Sequence, residues 1–379
     1  MTPSSSAGLG ADAVNRLGFR LLDELRAEPS RNVLLSPCSL AFCLAIAVNG
    51  ATGRTRAELA GALDAEALAD EEVNRRFRDL RVLVEEPGGG LDVDLANAVW
   101  GPPGAAFDAD FVRRVQEFYA AEARILDQAG SASADTVNRW VSDRTKGRIT
   151  TLVGAGDLAG GLGCVLTNAV YFKGPWAAPF EPGRTRPGPF TLPDGRRTII
   201  DMMTLSGRHS YLATDDFQAV ALDYADGNVS AYVVLPDPGV TLDLSRWDEW
   251  LPNFQSAQVA LTLPRFSVAS ELDLVQPLSE LGIRAAFGPG ADFSRMGLTG
   301  AVISALRHAA RLDVSEEGTE AAASTAVVMT RSLPRVASMV VDRPFFLAVV
   351  DRRSGLLLFL GRISEPEPVP GGTAGGVAG

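Results

Sequence analysis

The chain has 379 residues, of which 46% are hydrophobic and 21% charged, values of a globular protein with a sizeable core. Asp and Glu number 46 against 35 Lys and Arg, a formal charge of -11 that argues against nucleic acid as the main partner, because phosphates reward a basic face. No apolar run approaches the ~20 residues of a membrane span, so a soluble protein with no membrane partner is expected.

The amino terminus lacks a basic stretch followed by an apolar one, which predicts a cytoplasmic protein unless a signal was trimmed. Residues 11–27 carry Val14, Leu17, Leu21, Leu22 and Leu25 at helical spacing, with Pro29 beyond. Ser36 and Pro37 then read as the cap and first turn of a second helix, its apolar run Leu40 to Val48 marking it as buried and Gly50 suiting its stop. Residues 71–84 place Arg75, Arg76, Arg78 and Arg81 on a helix among Glu71, Glu72, Asp79, Glu85 and Glu86, the pattern of a plain solvated face. Residues 91–100 alternate as a half-buried strand, and helices are expected over 108–122 and 134–145.

At 149–159 a strand followed by Gly154 and Gly156 in Gly-x-Gly-x-x-Ala raises a rival reading, dinucleotide binding. The glycines that follow make a poor helix, and no acidic residue stands at the expected distance. Residues 163–176 form an apolar strand ending in a turn, and 217–235 two strands about Asp226-Gly227-Asn228. A strand over 261–267 and a helix over 274–281 follow, and strands 336–341, 343–350 and 356–363 close the chain. From Pro366 the tail is rich in Pro and Gly and is expected to be disordered, leaving 1–365 as one domain.

The chemistry-bearing residues are sparse. His209 and His308 are the only histidines, no Gly-x-Ser-x-Gly elbow exists, and zinc would need more His or paired Cys, so no enzyme, metal or cofactor is expected. Cys38, Cys43 and Cys164 lie in apolar surroundings that suit inert thiols, and their odd number makes no disulfide framework. Lysine occurs only at Lys146 and Lys173; so arginine-rich a chain suggests GC-rich coding and a prokaryotic source.

The run 316–334, Glu-Glu-Gly-Thr-Glu-Ala-Ala-Ala-Ser-Thr-Ala-Val-Val-Met-Thr-Arg-Ser-Leu-Pro, has an unusual pattern. Thr319, Ala321, Ala323, Thr325, Val327 and Met329 would share one face of a strand, and none is charged. Yet Gly318, the three alanines and Pro334 suit no permanent strand. This run resembles the hinge and reactive-centre loop of serpins, the serine protease inhibitors. The segment 163–176 and the strands after the loop resemble the same family.

The resemblance implies a single large α+β domain with three β-sheets, about eight or nine helices and an exposed reactive-centre loop at about 316–335. It implies a monomer that traps a target serine protease as a suicide substrate: the loop is cut, an acyl-enzyme forms, and the freed hinge (Glu316, Glu317, Gly318, Thr319, Glu320, Ala321, Ala322 and Ala323) enters the central sheet as a new strand. Thr319 to Arg331 is thirteen residues, roughly 40 Å of strand at ~3.3 Å each. Ser36, Ser39, Asn168 and His308 match a hydrogen-bonded cluster behind that sheet, the shutter. Arg265 and Trp176 match the breach at its top, where Arg265 would pair with Glu316. The loop is similar to that of antithrombin, one residue shorter between Val328 and Arg331, which points to cleavage at Arg331-Ser332. Counting positions from Glu316 points instead to Ser332-Leu333. Arg331 suits trypsin-like proteases, Ser332 elastase- or subtilisin-like ones, and Leu333 chymotrypsin-like ones. In some serpins a basic helix near 71–84 binds a polyanion; here the interleaved acids favour the solvated face. Besides dinucleotide binding, the other alternative is a non-inhibitory serpin that binds or stores a partner.

Overall fold

The computed structural model describes residues 10–25, 30–85, 90–158, 163–319 and 336–369. Its helices are α1 (Ala11–Glu24), α2 (Pro37–Gly50), α3 (Gly53–Gly61), α4 (Asp70–Glu85), α5 (Ala109–Tyr119), α6 (Ser131–Arg144), α7 (Trp247–Trp250) and α8 (Val275–Glu280). Its strands are β1 (Val33–Leu35), β2 (Asp92–Gly101), β3 (Glu122–Ile125), β4 (Cys164–Pro175), β5 (Arg186–Thr191), β6 (Arg197–Ala213), β7 (Phe217–Asp223), β8 (Val229–Pro236), β9 (Gln255–Pro264), β10 (Phe266–Asp273), β11 (Ile303–Val314), β12 (Gly318–Thr319), β13 (Ala337–Val340), β14 (Phe345–Asp351) and β15 (Leu356–Ile363).

Helix α2 is the apolar axis. Ser36 caps it by accepting from the Ser39 amide at 3.1 Å, Pro37 opens it, and every residue to Gly50 is buried. Gly50 serves packing more than termination: a Cβ there would meet the Met296 side chain at 2.0 Å. On α4, Arg75 and Arg76 pair with Glu72, Arg78 with Asp79 and Arg81 with Glu85, as a solvated face requires.

Two hydrogen-bonded sheets result. The six-stranded one runs β10-β11-β4-β2-β3, with β12 also on β4; the nine-stranded one runs β1-β15-β14-β8-β7-β6-β9-β13, with β5 on β6. Two of the three sheets implied by the resemblance share the 17-residue β6, which pairs β5, β9 and β7 in turn, so hydrogen bonding joins them.

Strand β4 has two apolar faces. Cys164, Leu166, Val170 and Phe172 join the main core, whereas Val165 and Ala169 join a smaller core under α6 with Trp100, Val137, Trp140 and Val141. That cover corrects the reading of 91–100 as half-buried: β2 is buried from Ala96 to Gly101.

Three boundaries also move. Helix α5 stops at Tyr119 because Ala120 turns left-handed (φ 49°), and β3 follows where helix was expected. The strand expected at 261–267 is the end of β9 and the start of β10, parted at Arg265. The tail does not leave the body at Pro366, since the Ser267 amide donates to the Glu367 carbonyl at 2.7 Å.

Candidate functional site

Strands β4 and β11 pair in parallel from Cys164/Ile303 to Tyr171/Arg311. Both run on, β4 to Pro175 and β11 to Val314, but apart. Into this fork the chain turns back after Val314, and β12 pairs antiparallel with the end of β4, Gly318 opposite Pro175 and Thr319 opposite Gly174. The Ser315 amide donates to the Gly318 carbonyl at 2.9 Å, while Trp176 and Phe180 amides donate to the Glu317 and Glu316 carbonyls at 3.0 and 2.7 Å. Gly318 sits at φ +141°, and a Cβ on it would lie 2.2 Å from the Gly174 carbonyl oxygen, so no side chain fits.

The expected breach residues converge here. Trp176 stacks on Tyr224 at 4.5 Å between centroids and donates from Nε1 to the Ser315 carbonyl at 3.0 Å. Arg265 Nε lies 3.5 Å from Glu316 Oε2, an ion pair too loose to count as a hydrogen bond, and Nε has no hydrogen-bond partner. The tighter hold on Glu316 is Thr185, whose hydroxyl donates to Oε1 at 2.6 Å. Nothing in the sequence singles out Thr185; the turn that presents it is far from Glu316 along the chain.

Below the fork, the four expected shutter residues form one buried network with a fifth. The Ser36 amide donates to His308 Nε2 at 3.1 Å, and His308 Nδ1 bonds Asn168 Oδ1. Asn168 Nδ2 reaches the Ser39 carbonyl at 3.0 Å, the Ser39 hydroxyl and Asn97 Oδ1. Asn97, directly opposite Asn168 across β2 and β4, is the residue that sequence reading missed; its signal was a lone amide in an apolar strand. His308 accepts at Nε2 and so donates at Nδ1, which fixes the neutral tautomer, and burial pushes its pKa down to about 3. The thiols of Cys43 and Cys164 are pushed up to about 12 by burial, and that of Cys38 also rises, as inert thiols require.

The hinge residues Glu320, Ala321, Ala322 and Ala323 and the reactive-bond residues Arg331, Ser332 and Leu333 lie outside the described residues. The dinucleotide reading at Gly154 and Gly156 is corrected. Residues 151–154 form no strand, and among the described residues a 3-10 turn (Ala155–Leu158), not an α-helix, follows. Asp157 also occupies the glycine loop: it accepts from the Gly154 amide at 2.9 Å and pairs with Arg307, setting a carboxylate where a phosphate would need donors.

Comparison with known proteins agrees with this geometry. The family model described as Serpin (serine protease inhibitor) matches residues 12–366. Leukocyte elastase inhibitor of Equus caballus is 33% identical over 368 residues, covering 92% of this chain and 96% of the relative. An uncharacterised serpin-like protein of Thermococcus kodakarensis is 32% identical over 374 residues, covering 94% and 85%. Among solved structures, Serpin48 of the insect Tenebrio molitor superposes with a TM-score of 0.85 at 28% identity, covering 96% and 99%, and human thyroxine-binding globulin complexed with thyroxine with 0.86 at 28%, covering 94% and 98%.

Proposed function

The chain belongs to the serpin family, and we propose that it is a suicide-substrate inhibitor of serine proteases that traps the acyl-enzyme by inserting its cleaved loop between β4 and β11. The observation that carries this is the register of β12. Continued from Thr319 opposite Gly174, it would bring Met329 opposite Cys164, so that residues 318–329 match β4 along its twelve residues.

Directly opposite residues share a face. The uncharged odd residues Ala321, Ala323, Val327 and Met329 would therefore meet Phe172, Val170, Leu166 and Cys164 on the main-core side, with Thr325 opposite Asn168 of the shutter. The even residues Ser324 and Val328 would pass under α6, opposite Ala169 and Val165. Each backbone pairing gained adds about 1 kcal/mol net, and no buried charge opposes the step. Arg331, Ser332 and Leu333 would then all lie past the end of β4, so the register admits either candidate bond; the arginine side chain favours Arg331-Ser332 and a trypsin-like target.

The test is a panel of trypsin, an elastase, subtilisin and chymotrypsin, scored for a complex that survives denaturing electrophoresis, with mass spectrometry of the released fragment to fix the bond. A covalent complex with at least one protease is expected. Clean cleavage by all four, with no complex, overturns the proposal. The likeness to thyroxine-binding globulin, whose solved structure holds thyroxine, favours the second reading, a non-inhibitory carrier, and the same panel decides against it when a complex forms.

A further inference from the structure

The turn after α6 crosses the six-stranded sheet at the level of the fork. Lys146 and Gly147 both take positive φ, 52° and 76°, and reverse the chain. Lys146 Nζ then lies 2.6 Å from Asp92 and 3.0 Å from Asp94, both on β2. Arg148 sets its guanidinium over the Tyr171 ring of β4, 5.2 Å from the centroid, with Nη1 3.9 Å from Asp313 Oδ2 on β11. Asp94, Tyr171 and Arg311 form one row across β2, β4 and β11, the last row in which β4 and β11 are paired. Asp313 lies two residues further along β11, past the split. One turn thus ties three strands, and its Arg148 spans the two that must separate.

We propose that Arg148 is a positioning residue for loop insertion: a strap across the fork that sets how fast the hinge strand enters. The proposal rests on the insertion reading above. A strand placed between β4 and β11 moves them from one strand spacing, ~4.8 Å, to two, so Arg148 can keep Tyr171 or Asp313 but not both. In the register of β12, Ala322 is the residue that would arrive opposite Tyr171, only three beyond Thr319. The strap is therefore met before most of the new pairing has formed, where resistance governs rate and leaves the end state unchanged. Asp313 also bonds the Ser267 hydroxyl at 2.5 Å and Arg311 at 3.3 Å, so it does not lose its partners when Arg148 lets go.

A synthetic peptide with the sequence of residues 319–331, added to the uncleaved protein, tests this without any target protease. Uptake is followed by tryptophan fluorescence and native electrophoresis. Arg148→Ala is expected to take up the peptide about five- to tenfold faster than wild type, from a cation–π contact and one screened ion pair. Arg148→Lys, which keeps the charge but not the flat stack, is expected in between. Asp313→Asn in the Arg148→Ala background is expected to add nothing to the rate. A merely structural role would lower the urea midpoint of Arg148→Ala and leave its uptake rate at the wild-type value. Equal rates in wild type and Arg148→Ala overturn the strap and leave insertion standing; a wild-type chain that takes up no peptide overturns insertion, and the strap with it.

Discussion

His308 keeps both ring nitrogens bonded only while neutral, because a proton on Nε2 would point at the Ser36 amide that now donates to it. Its value falls from 6.5 in the ordinary state to about 3 when folded. A group whose folded value is depressed contributes stability that is fully present above its unfolded value and lost as pH falls towards the folded one. From pH 6.5 downward this histidine alone should cost up to about 1.4 kcal/mol per pH unit. Urea unfolding between pH 6.5 and 5 measures it, in a window above most carboxylate titration. His308→Gln is expected to lose about 1–3 kcal/mol at pH 7 and to show a shallower slope below it; a slope equal to that of wild type would place the titration elsewhere. At this scale Ser36, Ser39, Asn168, His308 and Arg265 were legible through the family resemblance, whereas Asn97 and Thr185 were not. Their roles depend on which strand or turn lies opposite, and a single sequence does not state pairing.

Among the elements, β12 has two described residues, and it carries the functional argument. Gly318 is held by the neighbouring backbone more than by its own flexibility. Gly318→Ala should detach β12 from β4 at a cost of about 1–3 kcal/mol, read as a lower melting temperature and faster hydrogen exchange at residues 315–319. Thr319→Arg acts later. Opposite Gly174 it would put a charge on the face that turns towards the main core, opposing insertion by several kcal/mol. The variant should be cleaved as a substrate and form no complex stable to denaturant; a stable complex in undiminished yield would mean that this face is not buried. Long periodic elements such as α1, α2 and β4 could be read from spacing and caps. The short β3, with Glu122 and Arg124 in its four residues, could not, since what holds it is tertiary: the edge of β2, and Trp140 and Arg144 of α6 on Glu122.

For the whole molecule, the proposed mechanism requires that the uncleaved chain is not its own most stable arrangement. Strands β4 and β11 already pair directly below the fork, so insertion exchanges one parallel seam for two antiparallel ones, and the strand added brings its own donors and acceptors with it. The sequence carried the uncharged odd face of 316–334, the half of this balance that lies in side chains; the seam that must open became visible only with the sheet order. Gly318 and Thr319 are already paired with β4, so insertion adds about ten backbone pairings, residues 320–329; at about 1 kcal/mol each they bound the gain at ~10 kcal/mol, which at about 1–2 °C per kcal/mol for a chain of this size is a rise in melting temperature on the order of 10–20 °C. Limited proteolysis within residues 328–333, followed by calorimetry of the nicked but unseparated protein, measures it. An unchanged melting temperature would mean that the cut loop stays outside the sheet, and the fork between β4 and β11 would then be a fixed feature of the fold.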